Sequence, residues 1–154
     1  PADSVYWDNI GLDQTIGKAK FTYNSGQMIQ AGVLLYQTTS DETYLTDAKN
    51  TAKGAYNHFL GKRTGINGKD AYFYPTNPWF NVILLRGLLA LAEVDNDYKY
   101  VRTMADNAHY AWEYSSDENG FLGNDWAGTD NKKFKWLLDN ACMIELFAET
   151  SNIQ

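Results

Sequence analysis

The sequence predicts an all-α protein built from repeated helical hairpins, and three observations support this prediction. Segments that are apolar on nearly every side alternate with amphipathic segments, and the pair recurs after about 53 residues. No segment alternates polar and apolar residues as a half-buried strand would. With 154 residues, of which 44% are hydrophobic, we expect one domain that covers residues 1–154.

The first predicted hairpin begins at Asn24. From Asn24 to about Thr38 the apolar residues fall on nearly every side, which predicts a helix that is buried all round. From Asp41 to about Leu60 the apolar residues recur at three- and four-residue steps, which predicts an amphipathic helix at the periphery. A buried helix is therefore followed by one that faces water on one side.

The second predicted hairpin repeats this order. A nearly all-apolar helix runs from Pro78 to about Val94, with Asn77 as its cap, and an amphipathic one from Asp97 to about Tyr114. A fifth helix of the buried kind is predicted from about Lys133 to Glu149. The amphipathic helices correspond at an offset of 53 residues, with Ala48, Ala52, Ala55 and Phe59 matching Val101, Ala105, Ala108 and Trp112.

Alternating buried and half-buried helices are what two concentric rings require, so the predicted architecture is an α/α toroid. Three buried helices supply about half of such a ring, which would leave apolar flanks uncovered. We therefore expect a partner on the open side, either the missing N-terminal half of a longer protein or a second copy of the chain. The long loops at 61–76 and 115–132 join outer to inner helices, and loops of this length usually carry function.

Composition excludes several classes of function. The net charge of −6 and the scattered basic residues argue against nucleic acid and anionic membrane surfaces as partners. No apolar run approaches the roughly 20 residues of a membrane span, and the single cysteine, Cys142, excludes an intrachain disulfide. His58 and His109 lack metal-ligand spacing, so neither a metal nor a cofactor is expected. The aromatic content of 15% suggests stacking on sugar rings.

Several motifs resemble glycoside hydrolase family 76. The run Phe21–Ile29, with its Tyr23-Asn24 pair, is similar to the Tyr-Asn-Gln-Gly helix of that family, although Ser25 stands where the family has Gln. The resemblance continues over nearly the whole chain through four further groups of residues. These are Asp41–Leu45 with Ala48, Trp79-Phe80 with Ile83 and Arg86, Gly120–Leu122 with Trp126, and Leu137–Ala141. The family's Lys-Gly is replaced here by Phe80-Asn81.

The resemblance implies an (α/α)6 barrel that cleaves α-1,6-mannosidic bonds in mannans with retention of configuration. It also implies two adjacent catalytic aspartates in the N-terminal half, a nucleophile and a general acid/base. This sequence contains no adjacent Asp-Asp, so no catalytic residue is assigned to it. We expect the C-terminal half of the barrel, inactive alone, from a secreted, periplasmic or cell-surface parent whose substrate is a mannan-type oligo- or polysaccharide.

The first candidate substrate-binding residues lie where two inner helices begin. Tyr23 and Asn24 start one inner helix, so in a toroid they would face the mouth of the central cavity. The alternative is that Asn24 only caps that helix. Trp79 and Phe80 begin the next inner helix in the same layer, where Trp79 either stacks on a sugar or packs in the core.

Two further candidate pairs combine a carboxylate with an aromatic ring. Trp7 and Asp8 precede the first inner helix, and Asp125 and Trp126 precede the last, so each pair can grip hydroxyl groups and a ring face together. The alternative for both is a surface turn. For Arg86, which lies among leucines, a structural salt bridge is favoured over a substrate contact.

Other functions remain open from the sequence. Another toroid carbohydrate enzyme, such as an unsaturated-glycan hydrolase or an epimerase, would use the same ring. A non-catalytic glycan-binding or helical scaffold protein would use the aromatic cavity without cleavage. A protein-interaction repeat would present a large concave apolar face and bind no sugar.

Overall fold

A computed structural model describes residues 1–130 and 134–153. Their helices are α1 (Thr22–Thr39), α2 (Glu42–Phe59), α3 (Pro78–Asp95), α4 (Lys99–Ser115) and α5 (Leu137–Thr150). Their strands are β1 (Asn9–Ile10), β2 (Ile16–Gly17), β3 (Gly61–Thr64) and β4 (Asp70–Phe73). The all-α class is confirmed, because the helices carry the architecture and the strands form only two small antiparallel hairpins. Lys132 and Lys133, where one predicted loop ended and the fifth helix began, lie outside the described residues.

The helices form two layers. α1 packs against α3, and α3 packs against α5, so these three helices are the neighbours that make up an inner layer. α2 lies mainly on α1, and α4 lies on α5 and α3, so both belong to an outer layer. This order confirms the predicted alternation of inner and outer helices, and it places the first turns of α1, α3 and α5 in one layer.

The inner helices are not buried on every side in this chain. Leu34 and Leu35 of α1 are exposed, as are Leu137 and Ile144 of α5. The prediction of all-round burial for the first helix is therefore wrong for this chain. The physical reason is that α1 and α5 are the two edges of the inner layer, so each has only one inner neighbour, α3, among the described helices.

α1 and α3 approach each other closely because glycine faces glycine. A Cβ atom at Gly26 would overlap the carbonyl oxygen of Ile83, and a Cβ atom at Gly87 would overlap the carbonyl oxygen of Gly26. The Thr22 hydroxyl donates to Oδ1 of Asn81 at 3.0 Å in the same buried interface. These contacts fix the start of α1 against the stretch of α3 from Asn81 to Gly87.

The loop predicted at 61–76 contains the β3–β4 hairpin, which the sequence reasoning missed. Phe73 is buried, and its ring meets that of Tyr110 on α4 at 4.9 Å between centroids. The Asn107 side chain accepts from the Tyr74 amide at 2.9 Å and donates to the Tyr72 carbonyl at 3.0 Å. The hairpin is therefore fastened to the outer helix by its second strand.

Arg86 forms the predicted salt bridge, but on the surface. Its Nε and terminal nitrogen donate to the two carboxylate oxygens of Glu145 on α5 at 2.5 and 2.8 Å. Both side chains are partly open to solvent, and exposed ion pairs contribute little because water screens them. We expect Arg86→Gln to lower the free energy of unfolding by less than about 1 kcal/mol. Urea denaturation checks this, and a loss above about 2 kcal/mol would contradict it.

Candidate functional site

The Asp8 carboxylate joins the N-terminal segment to the first turn of α1. Its Oδ1 accepts a short hydrogen bond from the Tyr23 hydroxyl and a second one from Nδ2 of Asn24 at 3.1 Å. Its Oδ2 accepts from Nδ2 of Asn9 at 3.0 Å. The Asp8 amide donates to the Gly17 carbonyl at 3.1 Å, so the β1–β2 hairpin holds the backbone of this segment. The predicted residues Asp8, Tyr23 and Asn24 therefore form one hydrogen-bonded group.

Asn24 does not cap its helix. α1 begins at Thr22, with Phe21 in the capping position, so Asn24 already lies inside the first turn. Its side chain points to Asp8 instead of to the backbone of α1. The capping alternative for Asn24 is therefore wrong.

The hydrogen bonds to Asp8 set its protonation. The bond from Tyr23, followed by that from Asn24, holds the pKa of Asp8 below its usual value. The same bond to Asp8 raises the pKa of Tyr23 above its ordinary value. At neutral pH the group therefore combines an anionic acceptor with a neutral phenol, which suits hydroxyl recognition better than proton donation.

A layer of aromatic rings continues from Tyr23 to the first turn of α3. The ring of Phe21 stacks on Tyr23 with 5.6 Å between centroids, and Phe80 meets Tyr23 edge to face at 4.6 Å. Trp79 contacts Phe80 in turn at 4.0 Å. Tyr23, Trp79 and Phe80 are all half-buried, so they pack on each other and keep some surface in contact with solvent. The structure thus brings four of the predicted residues together with Asn24: Asp8, Tyr23, Trp79 and Phe80.

Trp7 lies beside this group along the chain and is exposed. The ammonium of Lys18 lies 5.6 Å from the centroid of the Trp7 ring, in the range of a cation–π contact. Lys18 directly follows β2, so the small hairpin brings the lysine to the tryptophan. Trp7 therefore offers a partly covered aromatic surface next to Asp8.

Of the three positions that depart from the family pattern, Ser25 and Asn81 are buried and Phe80 is half-buried. Ser25 and Asn81 have no exposed surface. Asn81 accepts from Thr22 and donates to the Pro75 carbonyl at 2.8 Å. Both side chains therefore lie away from solvent, and Asn81 joins α1 to α3 through its bond with Thr22.

Asp125 and Trp126 were expected to bind substrate, but the structure places them in the interior, with 5% and 1% of their surface exposed. Asp125 accepts from Arg63 at 3.1 Å and from the amide and hydroxyl of Thr129 at 3.0 and 2.8 Å. Burial opposes ionisation, yet the bonds from Thr129 and the charge of Arg63 hold the pKa of Asp125 below its usual range. Asp125 tethers the loop after α4 to the β3–β4 hairpin because Arg63 lies in β3. Both Asp125 and Trp126 are buried too deeply to present a face to a sugar.

A small pocket between the starts of α3 and α5 was not predicted. Its volume is about 150 Å³, and it is lined by Asn77, Asn124, Phe134, Trp136 and Asp139. One feature of the sequence could have predicted this pocket: Phe134 and Trp136 are two residues apart just before the fifth helix. This spacing places two aromatic rings on one side of an extended segment.

The family model for glycosyl hydrolase family 76 matches residues 2–153. The chain belongs to this family. Family 76 membership confirms the resemblance carried by the motifs at Tyr23-Asn24, Trp79-Phe80 and Leu137–Ala141. No curated protein sequence matches the chain.

Three solved structures share the fold of this family 76 chain. A family 76 glycoside hydrolase from a bovine Bacteroides thetaiotaomicron strain is 25% identical with a TM-score of 0.84, and the match covers 96% of this chain and 34% of that one. A family 76 mannosidase from Bacteroides thetaiotaomicron is 28% identical with a TM-score of 0.84, covering 97% and 43%. An α-mannanase from the same organism, at 21% identity, 97% and 40% coverage and a TM-score of 0.77, shows the fold alone. The family 76 chain thus spans less than half the length of each.

The described residues contain neither a candidate membrane-spanning helix nor a candidate metal site. None of the described helices of this family 76 chain is long and apolar enough to span a bilayer. Within residues 1–130 and 134–153, no three His, Cys, Asp or Glu residues are grouped so that they could hold a metal ion.

Proposed function

We propose that this chain supplies the substrate-binding part of a retaining, endo-acting α-1,6-mannanase. The observation that carries the proposal is the group of Asp8, Tyr23 and Asn24 beside the rings of Trp79 and Phe80, at the starts of two inner helices. An ionised acceptor and amide groups suit sugar hydroxyls, while aromatic faces suit the apolar face of a pyranose ring. Trp7 adds a further ring at the edge of this site.

We place the catalytic aspartate pair in sequence outside these 154 residues. A retaining glycosidase needs a nucleophile and a general acid/base about 5 Å apart. The chain contains no adjacent aspartates, and the lowered pKa of Asp8 disfavours a role as proton donor. The chain alone is therefore expected to bind glycan without cleaving it.

The open side of the inner layer needs a partner in this proposal. Leu34 and Leu35 at one edge and Leu137 and Ile144 at the other are exposed apolar residues. Either the N-terminal half of a longer catalytic domain or a second copy of this chain covers them, with residues 1–154 as part of one domain. We place the parent outside the cytoplasm, as a secreted, periplasmic or cell-surface enzyme, where mannan is accessible.

A non-catalytic glycan-binding protein is the second candidate. The observation that favours it is the same absence of an Asp-Asp pair from the sequence. Reducing-sugar release from α-1,6-mannan, measured for this chain and for a longer protein that contains it, separates the two. Release by the longer protein alone supports the enzyme, whereas binding without release by either supports the second candidate.

Asp8→Asn tests the site itself. Replacing the carboxylate with an amide removes the anionic acceptor for Tyr23 and Asn24 but keeps the size of the side chain. Hydrogen bonds to charged groups are worth about 1.5–3 kcal/mol, so we expect affinity for an α-1,6-mannotetraose to fall about tenfold. Isothermal titration measures this affinity. Asp106→Asn, on the exposed face of α4, is the matched control, and equal affinities for the two variants would refute the role of Asp8.

A further inference from the structure

We propose that Asn9 is a positioning residue for the Asp8 carboxylate. The β1–β2 hairpin places the side-chain amide of Asn9 over Gly17, and this amide fixes the plane of the carboxylate. One acceptor position on Oδ2 of Asp8 then stays open to a hydroxyl group of the ligand. This role of Asn9 rests on the proposed function, because it prepares Asp8 for binding.

The Asp8 carboxylate has most of its acceptor positions filled within the chain. A carboxylate offers about four such positions on its two oxygen atoms. Oδ1 accepts from the Tyr23 hydroxyl and from Nδ2 of Asn24, and Oδ2 accepts from Nδ2 of Asn9. The remaining position is therefore on Oδ2, beside the bond from Asn9. Asp8 is half-buried, so a ligand hydroxyl can reach this position.

The bonds to Oδ1 alone do not hold the carboxylate plane. The torsion about the Cβ–Cγ bond of aspartate has a broad minimum, so the group can pivot while Oδ1 stays in place. The bond from Asn9 limits this motion because it holds Oδ2 at 3.0 Å from Nδ2. Asn9 therefore decides where the open position of Oδ2 lies. A fixed acceptor also lowers the ordering cost of binding.

Gly17 orients the amide of Asn9. The two residues lie opposite each other in the hairpin, and a Cβ atom at Gly17 would overlap Oδ1 of Asn9 and lie 3.5 Å from its Nδ2. The Asn9 side chain thus fills the space over Gly17, with its oxygen at the glycine and its nitrogen on Asp8. Only this orientation offers a donor to the carboxylate, because the amide oxygen of asparagine is an acceptor.

The alternative is that the hairpin stabilises the fold and has no role in the site. Residues 9–16 are all exposed, so they bury little apolar surface against the helices. Burial of apolar surface is the main source of stability, and a two-stranded hairpin is marginal by itself. The hairpin instead contacts two candidate site residues: Asn9 binds Asp8, and Lys18, which directly follows β2, lies on the ring of Trp7. These contacts favour a role in the site.

The test removes the Asn9 bond in two independent ways. Asn9→Ala deletes the donor, whereas Gly17→Ala keeps Asn9 but places a methyl group in the space of its amide. The φ angle of Gly17 is not positive, so alanine suits its backbone. We expect each variant to bind α-1,6-mannotetraose about fivefold more weakly in isothermal titration, a smaller loss than in Asp8→Asn because the carboxylate remains.

The double variant and a control in the same hairpin make the test specific. Asn9→Ala combined with Gly17→Ala should bind as weakly as Asn9→Ala alone, since the methyl group then has no amide to displace. Gly11→Ala is the matched control. Its Cβ atom would overlap the Asp13 carboxylate, which bonds to Thr15, so it also displaces a polar side chain of the hairpin. We expect Gly11→Ala to bind the tetraose as wild type does.

The pH profile gives a readout that a purely structural role would not change. Bonds from Tyr23 and then Asn24 lower the pKa of Asp8 most, and the bond from Asn9 lowers it further. Without Asn9 the carboxylate takes up its proton at a higher pH, and protonation removes the charge of the acceptor. As the solution is acidified, we therefore expect Asn9→Ala to lose tetraose affinity at a higher pH than wild type does.

The outcomes separate this role from the proposed function. Wild-type affinity in Asn9→Ala overturns it, as do additive losses in the double variant, an unshifted pH profile, or a loss in Gly11→Ala equal to that in Gly17→Ala. If Asp8→Asn still binds weakly in those cases, the proposed function stands. Wild-type affinity in Asp8→Asn, or no binding by the wild type, overturns both. Far-UV circular dichroism confirms folding, and if Asn9→Ala does not fold, Gly17→Ala is used with the same expectation.

Discussion

Asp125→Ala is expected to lower the free energy of unfolding by about 3 kcal/mol. The Asp125 carboxylate is buried, and it binds Arg63 together with the amide and hydroxyl of Thr129 and the amide of Ala127. Removing it leaves those donors without an acceptor, and breaking a fully buried pair typically costs about 3–5 kcal/mol. The Arg63 side chain is 37% exposed and keeps its bond to the Tyr74 carbonyl, so we expect the lower end of that range. Urea denaturation at neutral pH measures the loss.

The same ion pair gives stability a dependence on pH with a definite sign. Hydrogen bonds and Arg63 keep the pKa of Asp125 in the folded protein below its usual value. The unfolded state therefore binds the proton more readily, so the stabilisation is present at neutral pH and is lost as acid protonates the folded carboxylate. Asp106→Ala, on the exposed face of α4, is the control. If Asp125→Ala lowers the free energy of unfolding no more than Asp106→Ala does, the structural role given to Asp125 is contradicted.

The sequence predicted the helical architecture well because its signal extends over many residues. The helices that begin at Thr22 and Pro78 each carry apolar residues through about five turns, so their existence and order were clear. The β3–β4 hairpin was missed because each strand is only four residues long and only Phe73 of the second is buried. Its position depends on the side chain of Asn107, a contact between distant parts of the chain that no local pattern encodes.

The candidate site was predicted only in part, because the sequence shows where a helix begins but does not show contacts between distant residues. Tyr23, Asn24, Trp79 and Phe80 were assigned from their positions in the first turns of inner helices, and the structure brings them together. Asp125 looked equivalent to Asp8, because each carboxylate is next to a tryptophan. The difference lies in Arg63, 62 residues away, which pairs with the buried carboxylate of Asp125. Such a long-range ion pair cannot be found from one sequence without an alignment.

Gly26→Ala is expected to lower the free energy of unfolding by about 2 kcal/mol. Alanine favours a helix over glycine by about 1 kcal/mol, so in isolation α1 would gain from this change. Here the new methyl group would overlap the backbone of Ile83 and Leu84 on α3, and backbone atoms cannot move aside as a side chain can. Overpacking of this kind costs about 3 kcal/mol at the upper end of its usual range, which outweighs the gain. Thermal and urea denaturation measure the net loss.

Two further variants identify the source of that loss. At Gly61 a Cβ atom would have no neighbour within 4 Å, so Gly61→Ala should change stability by no more than about 0.5 kcal/mol. Gly87→Ala inserts a methyl group into the opposite side of the same crossing, against the carbonyl of Gly26. Because one separation of α1 from α3 relieves both overlaps, the double variant should lose less than the sum of the single ones. Strict additivity would mean that the two glycines act at independent contacts, and the close crossing would then not explain either loss.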